Sequence, residues 1–345
     1  MKIDLEKKLD PIEYENFLHS LIHSPFTLSS KHISFLENIL DLPSLFFTAR
    51  ENTKLVGVFP FFEKNSIHGK VINSLPFFGS HGGVLSNNFE IKKQLLTFLN
   101  NYISENDVLS SVIITNPFNQ ENSVYENFFN YNFVEQRFTQ CINLKNETTE
   151  SIFQNLEKRV RWTIRKCEKN NLIAQITDLD DKISSDFYEC YKIGMEIKKG
   201  RLKPPTFFNY VQSNFETSDF DIFIAYKDNL PISYLFILYY GLFAEYYMPA
   251  FEKEWSNLQG TSMLIWESIK HSIENNIQFY NFGGTLANQK DLYLFKRGWN
   301  STNYNYNYYI SADIDRLKTI NVNDIQKYYE YFYVISFDEL GKLQK

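Results

Sequence analysis

Two stretches far apart in the chain carry one pattern: a β-rich apolar run, a polar turn, then a second β-rich run. They are LFFTARENTKLVGVFPFF (45–62) and DIFIAYKDNLPISYLFIL (221–238), and each reads as a hairpin. Ala49 falls on Ala225 and Val56 on Ile232 at a single offset of 176, so the turns 50–54 and 226–230 coincide without a gap. The segments that follow agree in kind. After the first hairpin come a strand-like VINSLPF (71–77), a Gly-rich HGGVL (81–85), a helix over 91–103 and a strand SVIIT (111–115). Leu95, Phe98, Leu99 and Tyr102 give that helix one apolar face. After the second come FAEYYMPAF (243–251), a helix over 261–273 with Met263, Trp266, Ile269 and Ile273 at helical spacing, and a strand QFYNF (278–282). Both halves close alike, 129–144 against 295–310, with Phe129 and Phe133 matching Phe295 and Trp299 at an offset of 166.

This order predicts an α/β fold, a mixed (α+β) sheet with helices on its faces, built as two tandem domains from an internal duplication. The polar NETTES (146–151) reads as the connector. The expected domains are 1–148 and 149–316. A segment 317–345, helical where NDIQKYYEYFYVI (323–335) begins, is expected to pack back on them. The active site is expected near the junction of the two domains.

The length of 345 residues suits two cores, and 43% hydrophobic against 22% charged residues supports folding throughout. Aromatic residues reach 17%, which codon bias toward Phe and Tyr accounts for. A net charge of −6 argues against a general nucleic-acid binder, and no DNA partner is expected. Cys141, Cys167 and Cys190 have neither metal-like nor redox spacing, and His19, His23, His32, His68, His81 and His271 form no ligand motif, so no metal is expected. The amino-terminal MKIDLEKKLDPIEYENF lacks the apolar run of a signal peptide. ISYLFILYYGLFAEYYM (232–248) is too short for a span, contains Glu245 and alternates like strands. A cytoplasmic location without a transmembrane segment is the expectation, with peripheral membrane contact left open.

Four stretches together resemble the FemABX family, double-acetyltransferase-fold enzymes that add amino acids to peptidoglycan precursors, and the wider GNAT-type acyltransferases of envelope glycan loci. They are LPFFGSHGGVL (75–85), NLEKRVRWTIRKCEKNNL (155–172), MEIKKGRLKPPTFF (195–208) and LQGTSMLIWESIKHSIENNIQFYNFGGTLANQKDLYLFKRGW (258–299). The resemblance implies transfer of an aminoacyl or acyl group to an amine of a peptidoglycan or surface-glycan precursor, itself nucleotide- or lipid-linked. No tightly bound cofactor is implied, and the donor is either an aminoacyl-tRNA or an acyl-coenzyme A. Departures are the absence of the Gln/Arg-x-x-Gly-x-Gly/Ala pyrophosphate fingerprint, of which Gln259-Gly260-Thr261 is a trace, and Asn281 where the family has Asp. An N-acetyltransferase using acetyl-coenzyme A on a nucleotide-linked amino sugar is the alternative. A non-catalytic glycan- or peptide-binding relative is a third.

Direct attack by an acceptor amine needs no protein nucleophile, and neither a GxSxG elbow nor a Cys–His arrangement occurs. The resemblance assigns the tetrahedral oxyanion to Lys296, which follows Phe295 in the closing motif. It assigns a diphosphate clamp to Arg201 in the irregular loop KKGRLKPP, and a substrate contact to Tyr247. Glu245, on the strand face of Tyr247, is a candidate base or polar partner, with Tyr246 on the opposite face. Lys158, Arg161, Arg165 and Lys169 form one helical stripe suited to phosphates of a tRNA or a nucleotide. Gly82-Gly83 and Gly283-Gly284 would let backbone approach a ligand, and Thr261 and Ser262 would cap the second central helix.

Overall fold

The computed structural model describes residues 1–21, 24–119, 121–286 and 288–344. His23, and Ala287 of the loop before Lys296, lie outside the described residues. The chain divides into one unit of Met1–Arg137 with Asn305–Lys345 and a second of Phe138–Tyr304.

In the first unit β1 (Lys2–Glu6), β2 (Ser44–Glu51), β3 (Lys54–Ser66) and β4 (Gly69–Asn73) form an antiparallel meander, and β5 (Val108–Ile114) joins parallel to β4. A parallel neighbour requires a crossover, which the helix Phe89–Glu105 supplies. Asn88 caps that helix through Glu90 N, and Ile91, Leu95, Leu96 and Leu99 face a core containing Phe47, Phe59 and Phe61.

The second unit repeats this topology. β6 (Phe133–Asn143) enters it, and β7 (Ile173–Thr177), β8 (Phe220–Lys227), β9 (Leu230–Tyr240) and β10 (Phe243–Phe251) form the meander. After the helix Gly260–Glu274, β11 (Phe279–Thr285) lies parallel to β10. Residues 138–143 of β6 close that sheet antiparallel to β11, and β12 (Thr302–Ala312) returns to close the first sheet antiparallel to β5. Each half thus hands its closing strand to the other unit. For that reason the units divide at 137/138 and 304/305, rather than at the sequence-derived 148/149 and 316/317, and the tail 317–345 belongs to the first unit.

The duplication extends to an irregularity. In the β2–β3 hairpin the register slips between Ala49 and Arg50, and in β8–β9 it slips between Ala225 and Tyr226, the same places at the offset read from sequence. A bulge held in common by two halves of thin identity is a shared design feature.

The expected strand 71–77 stops at Asn73, and the chain beyond it packs on its own unit. Ser74 N donates to Val112 O at 2.9 Å, Gly82 N to Ile114 O at 2.7 Å, and Leu85 bridges to Val58. A Cβ on Gly82 would lie 2.8 Å from Ser74 Oγ, and one on Gly83, at φ +109°, 2.4 Å from Tyr125 Oη. These glycines therefore serve chain packing rather than approach to a ligand. Gly83→Ala is expected to cost about 2–4 kcal/mol, through left-handed strain and the clash, read as a lowered urea midpoint.

The 232–248 stretch lies in β9, the turn and β10, and among the described residues no helix is long and apolar enough to cross a membrane. Thr261 and Ser262 do not cap the second central helix. That helix begins at Gln259 in left-handed backbone (φ 62°) without a side-chain cap.

Candidate active site

Parallel pairing of β10 with β11 lasts only from Phe243/Phe279 to Glu245/Asn281. Immediately beyond, β10 bulges between Tyr246 and Met248 against β9, and β11 shifts register between Asn281 and Gly284 against β6. A cavity of about 490 Å³ opens there, lined by Ser233, Tyr246, Tyr247, Thr261, Ser262, Phe282, Leu292, Phe295 and Lys296 among others. Every lining residue belongs to the second unit. Tyr246 and Tyr247 face opposite ways, as alternation predicts, Tyr246 against Phe282 and its core and Tyr247 against Phe207 and Phe236, and both border the cavity.

Lys296 ends the helix Lys290–Arg297 and is only 3% exposed. Its Nζ donates to Gly283 O (2.9 Å), Gly284 O (2.8 Å) and Thr285 Oγ1 (3.0 Å). Burial lowers its pKa to about 7. Three neutral acceptors without a carboxylate hold a positive charge that is fixed in place but not neutralised. The role of Gly283-Gly284 follows: their carbonyls build the cage. Phe295 packs between the core and the cavity.

Glu245 lies one strand away. Asn281 Nδ2 donates to its Oε2 at 2.8 Å, while Asn281 Oδ1 accepts from Thr139 Oγ1 (2.6 Å) and Gly283 N (3.0 Å). Burial raises the carboxyl pKa to about 8, and the Asn281 bond moderates the rise. An Asn here donates to a carboxylate, which an ionised Asp would repel, so the departure at 281 has a local chemical sense. The nearby Cys141 thiol is pushed well up by burial and by Glu245, which removes it as a nucleophile.

Glu245 is not among the residues that line the cavity, and neither are the remaining sequence candidates. Arg201 is exposed on its loop. Arg161 donates to Gln154 O and Leu156 O, both at 2.6 Å, holding the entry to its own helix. Arg165 is exposed with its guanidinium 5.5 Å from the Phe153 ring centre. The loop's inward cation is instead Lys203, 8% exposed, with Nζ 4.8 Å from the Tyr247 ring centre and a pKa lowered to about 7 by burial. Nothing in KKGRLKPP separates Lys203 from its neighbours. The two tyrosines that bind its backbone, Tyr188 and Tyr191, sit one turn apart on the preceding helix and were the available hint. Among the described residues no cluster of His, Cys, Asp or Glu could hold a metal ion.

Residues 155–297 match the family model described as an acetyltransferase (GNAT) domain. Among solved structures the chain is similar to FemX, at 13% identity over 90% of this chain and 97% of that one, with TM-score 0.72. It is also similar to the C-terminal DUF2156 domain of a protein named as a lysylphosphatidylglycerol synthetase, from Agrobacterium fabrum (8% identity, 91% and 96% covered, TM-score 0.61). A third is a tandem GNAT protein from the clavulanic acid biosynthesis pathway (7%, 90% and 98%, TM-score 0.56). Comparison with curated proteins gives no match. At these identities the likeness is one of fold, FemABX/GNAT-like and duplicated.

Proposed function

From this GNAT-like fold as premise, we propose that the chain is an acyltransferase moving an aminoacyl or acyl group onto an amine of a cell-envelope precursor. The observation that carries the reading is the caged cation of Lys296 on the wall of the cavity where β10 and β11 part. Attack of a neutral amine on the acyl carbonyl forms a C–N bond and places negative charge on oxygen. Cleavage of the ester or thioester then releases an alcohol or a thiol, which takes up a proton. The Lys296 ammonium stabilises the oxyanion, Glu245 receives the proton that the attacking nitrogen loses, and Tyr247, braced by Phe207 and Lys203, orients the substrate.

The envelope precursor is supported by the resemblance to FemABX enzymes and by a structural neighbour whose name carries an aminoacylated phospholipid. A second reading, N-acetylation of a nucleotide-linked amino sugar from acetyl-coenzyme A, is favoured by the start of helix Gly260–Glu274. There Gly260, Thr261 and Ser262, the first residues of the helix, line the cavity, so its positive end borders the site. Purified protein, given labelled aminoacyl-tRNA or labelled acetyl-coenzyme A with a UDP-linked muropeptide or amino sugar, is expected to transfer label to the amine. Use of the tRNA ester supports the first reading and use of the thioester the second. Consumption of neither donor with any acceptor defeats both and leaves a binding protein.

A further inference from the structure

The helix Lys158–Lys169 carries Lys158, Arg159, Arg161, Arg165, Lys166 and Lys169 against one acid, Glu168. Its inward face is Val160, Ile164 and Cys167. On the outward face stands Trp162, 62% exposed, with Lys158, Arg159, Arg165 and Lys166 at the i−4, i−3, i+3 and i+4 positions around it. Among the described residues none of the six cations forms an ion pair, although the chain as a whole is acidic. Lys166 Nζ lies 5.5 Å from the indole and also donates to Asn257 O. The helix Lys290–Arg297 lies alongside, where Arg159 reaches Leu294 O and Leu292 and Leu294 are 36% and 41% exposed. Leu292 also lines the cavity, so this face borders the site's mouth.

We propose that this face, Trp162 ringed by cations beside a helix with exposed leucines, docks on an anionic phospholipid surface and presents the cavity to a lipid-linked acceptor. The proposal rests on the acyl-transfer reading only for its last clause. The chemistry favours a membrane over a polynucleotide. Phosphates alone would call for the cations, whereas exposed leucines beside an indole gain free energy only by entering an apolar layer. An indole at the headgroup level with lysines and arginines reaching the phosphates is the arrangement a bilayer interface selects. The four cations around the indole have no ion-pair partner among the described residues, which suits a negative surface.

The test is sedimentation with vesicles of phosphatidylcholine alone and of phosphatidylcholine with phosphatidylglycerol, without any acyl donor, in parallel with binding to bulk tRNA. The chain is expected to bind the anionic vesicles at least tenfold more tightly than the neutral ones, and to lose binding as salt rises. Brominated lipid should quench the tryptophan fluorescence of the native chain and quench it less in Trp162→Ala, a difference that separates Trp162 from the half-buried Trp255 and the deeply buried Trp266 and Trp299. Trp162→Ala, and separately Lys158→Glu with Arg159→Glu, should each weaken vesicle binding at least tenfold with an unchanged melting temperature. Trp162→Ala should leave transfer to a water-soluble acceptor unaltered. Equal affinity for the two vesicle types, undiminished binding by Trp162→Ala, or binding to tRNA but not to anionic vesicles would each overturn the proposal. Vesicle binding by a chain that transfers nothing would defeat the catalytic reading and leave this surface standing.

Discussion

Lys296→Met is expected to lower kcat/KM for acyl transfer by about 10²–10³-fold, the loss typical of one preorganised electrostatic group beside a tetrahedral oxyanion. The size follows from the cage. Gly283 O, Gly284 O and Thr285 Oγ1 fix the ammonium before any substrate arrives, so its field acts without reorganisation at the moment of attack. Lys296→Arg should not rescue, because a planar fork cannot satisfy three acceptors converging on one nitrogen. The pH dependence gives a second readout. With a folded pKa of about 7, the ammonium is lost as pH rises through 7, and activity that needs it declines on that side. For stability the sign is set by a folded pKa below the unfolded value of 10.5. The cost of burying the charge is complete below pH 7 and is relieved as pH rises from 7 toward 10.5. The native chain should therefore gain stability across that window, and Lys296→Met should lack that gain. A Met variant that transfers at the native rate would remove Lys296 from the chemistry.

The sequence pattern reached the fold because the duplication is written in period and order, which survive when identity does not. The second hairpin, the strand 243–251 and the two central helices appear within a residue or two of their expected positions, and the first hairpin runs four residues further, to Ser66, with a shared slip after Ala49 and Ala225. The exchange of β6 and β12 was not legible. Antiparallel pairing with either half's sheet would give those strands the same alternation. Two sequence candidates, Lys296 on its helix and Tyr247 on β10, reach the cavity wall. The alternation of β10 was legible as well, with Tyr246 and Tyr247 on opposite faces, whereas the choice of a loop among several cations was not. Arg201 and Lys203 are two residues apart in one irregular run, and only packing beneath Tyr247 distinguishes the buried one. The glycine pairs show the same limit. One lies in an irregular run and fits against Ser74 and Tyr125, while the other lies in β11 and offers its carbonyls to a lysine.

Glu245→Gln is expected to reduce transfer by about 10²–10⁴-fold, the range for loss of a positioned proton acceptor, while changing KM less than kcat. Its pKa of about 8 lies above that of Lys296, so the base must be ionised while a group of lower pKa stays protonated. The active microstate is then a minority at every pH, and kcat/KM should be bell-shaped with its maximum between pH 7 and 8. Glu245→Gln should abolish the rise on the acid side, and Lys296→Met the fall on the alkaline side. Unfolding supplies an independent check. The folded carboxyl titrates above its ordinary 4.5, so its stabilising contribution is complete below pH 4.5 and is lost as pH rises through 8. Gln avoids the buried charge and keeps an acceptor for Asn281 Nδ2. At pH 9 the variant should be the more stable protein, by on the order of 3 kcal/mol once the water reaching this partly exposed side chain is allowed for. Near pH 4 the two should melt together. A variant that loses activity and also loses stability at pH 9 would make Glu245 a structural group, and the proton would then need another acceptor.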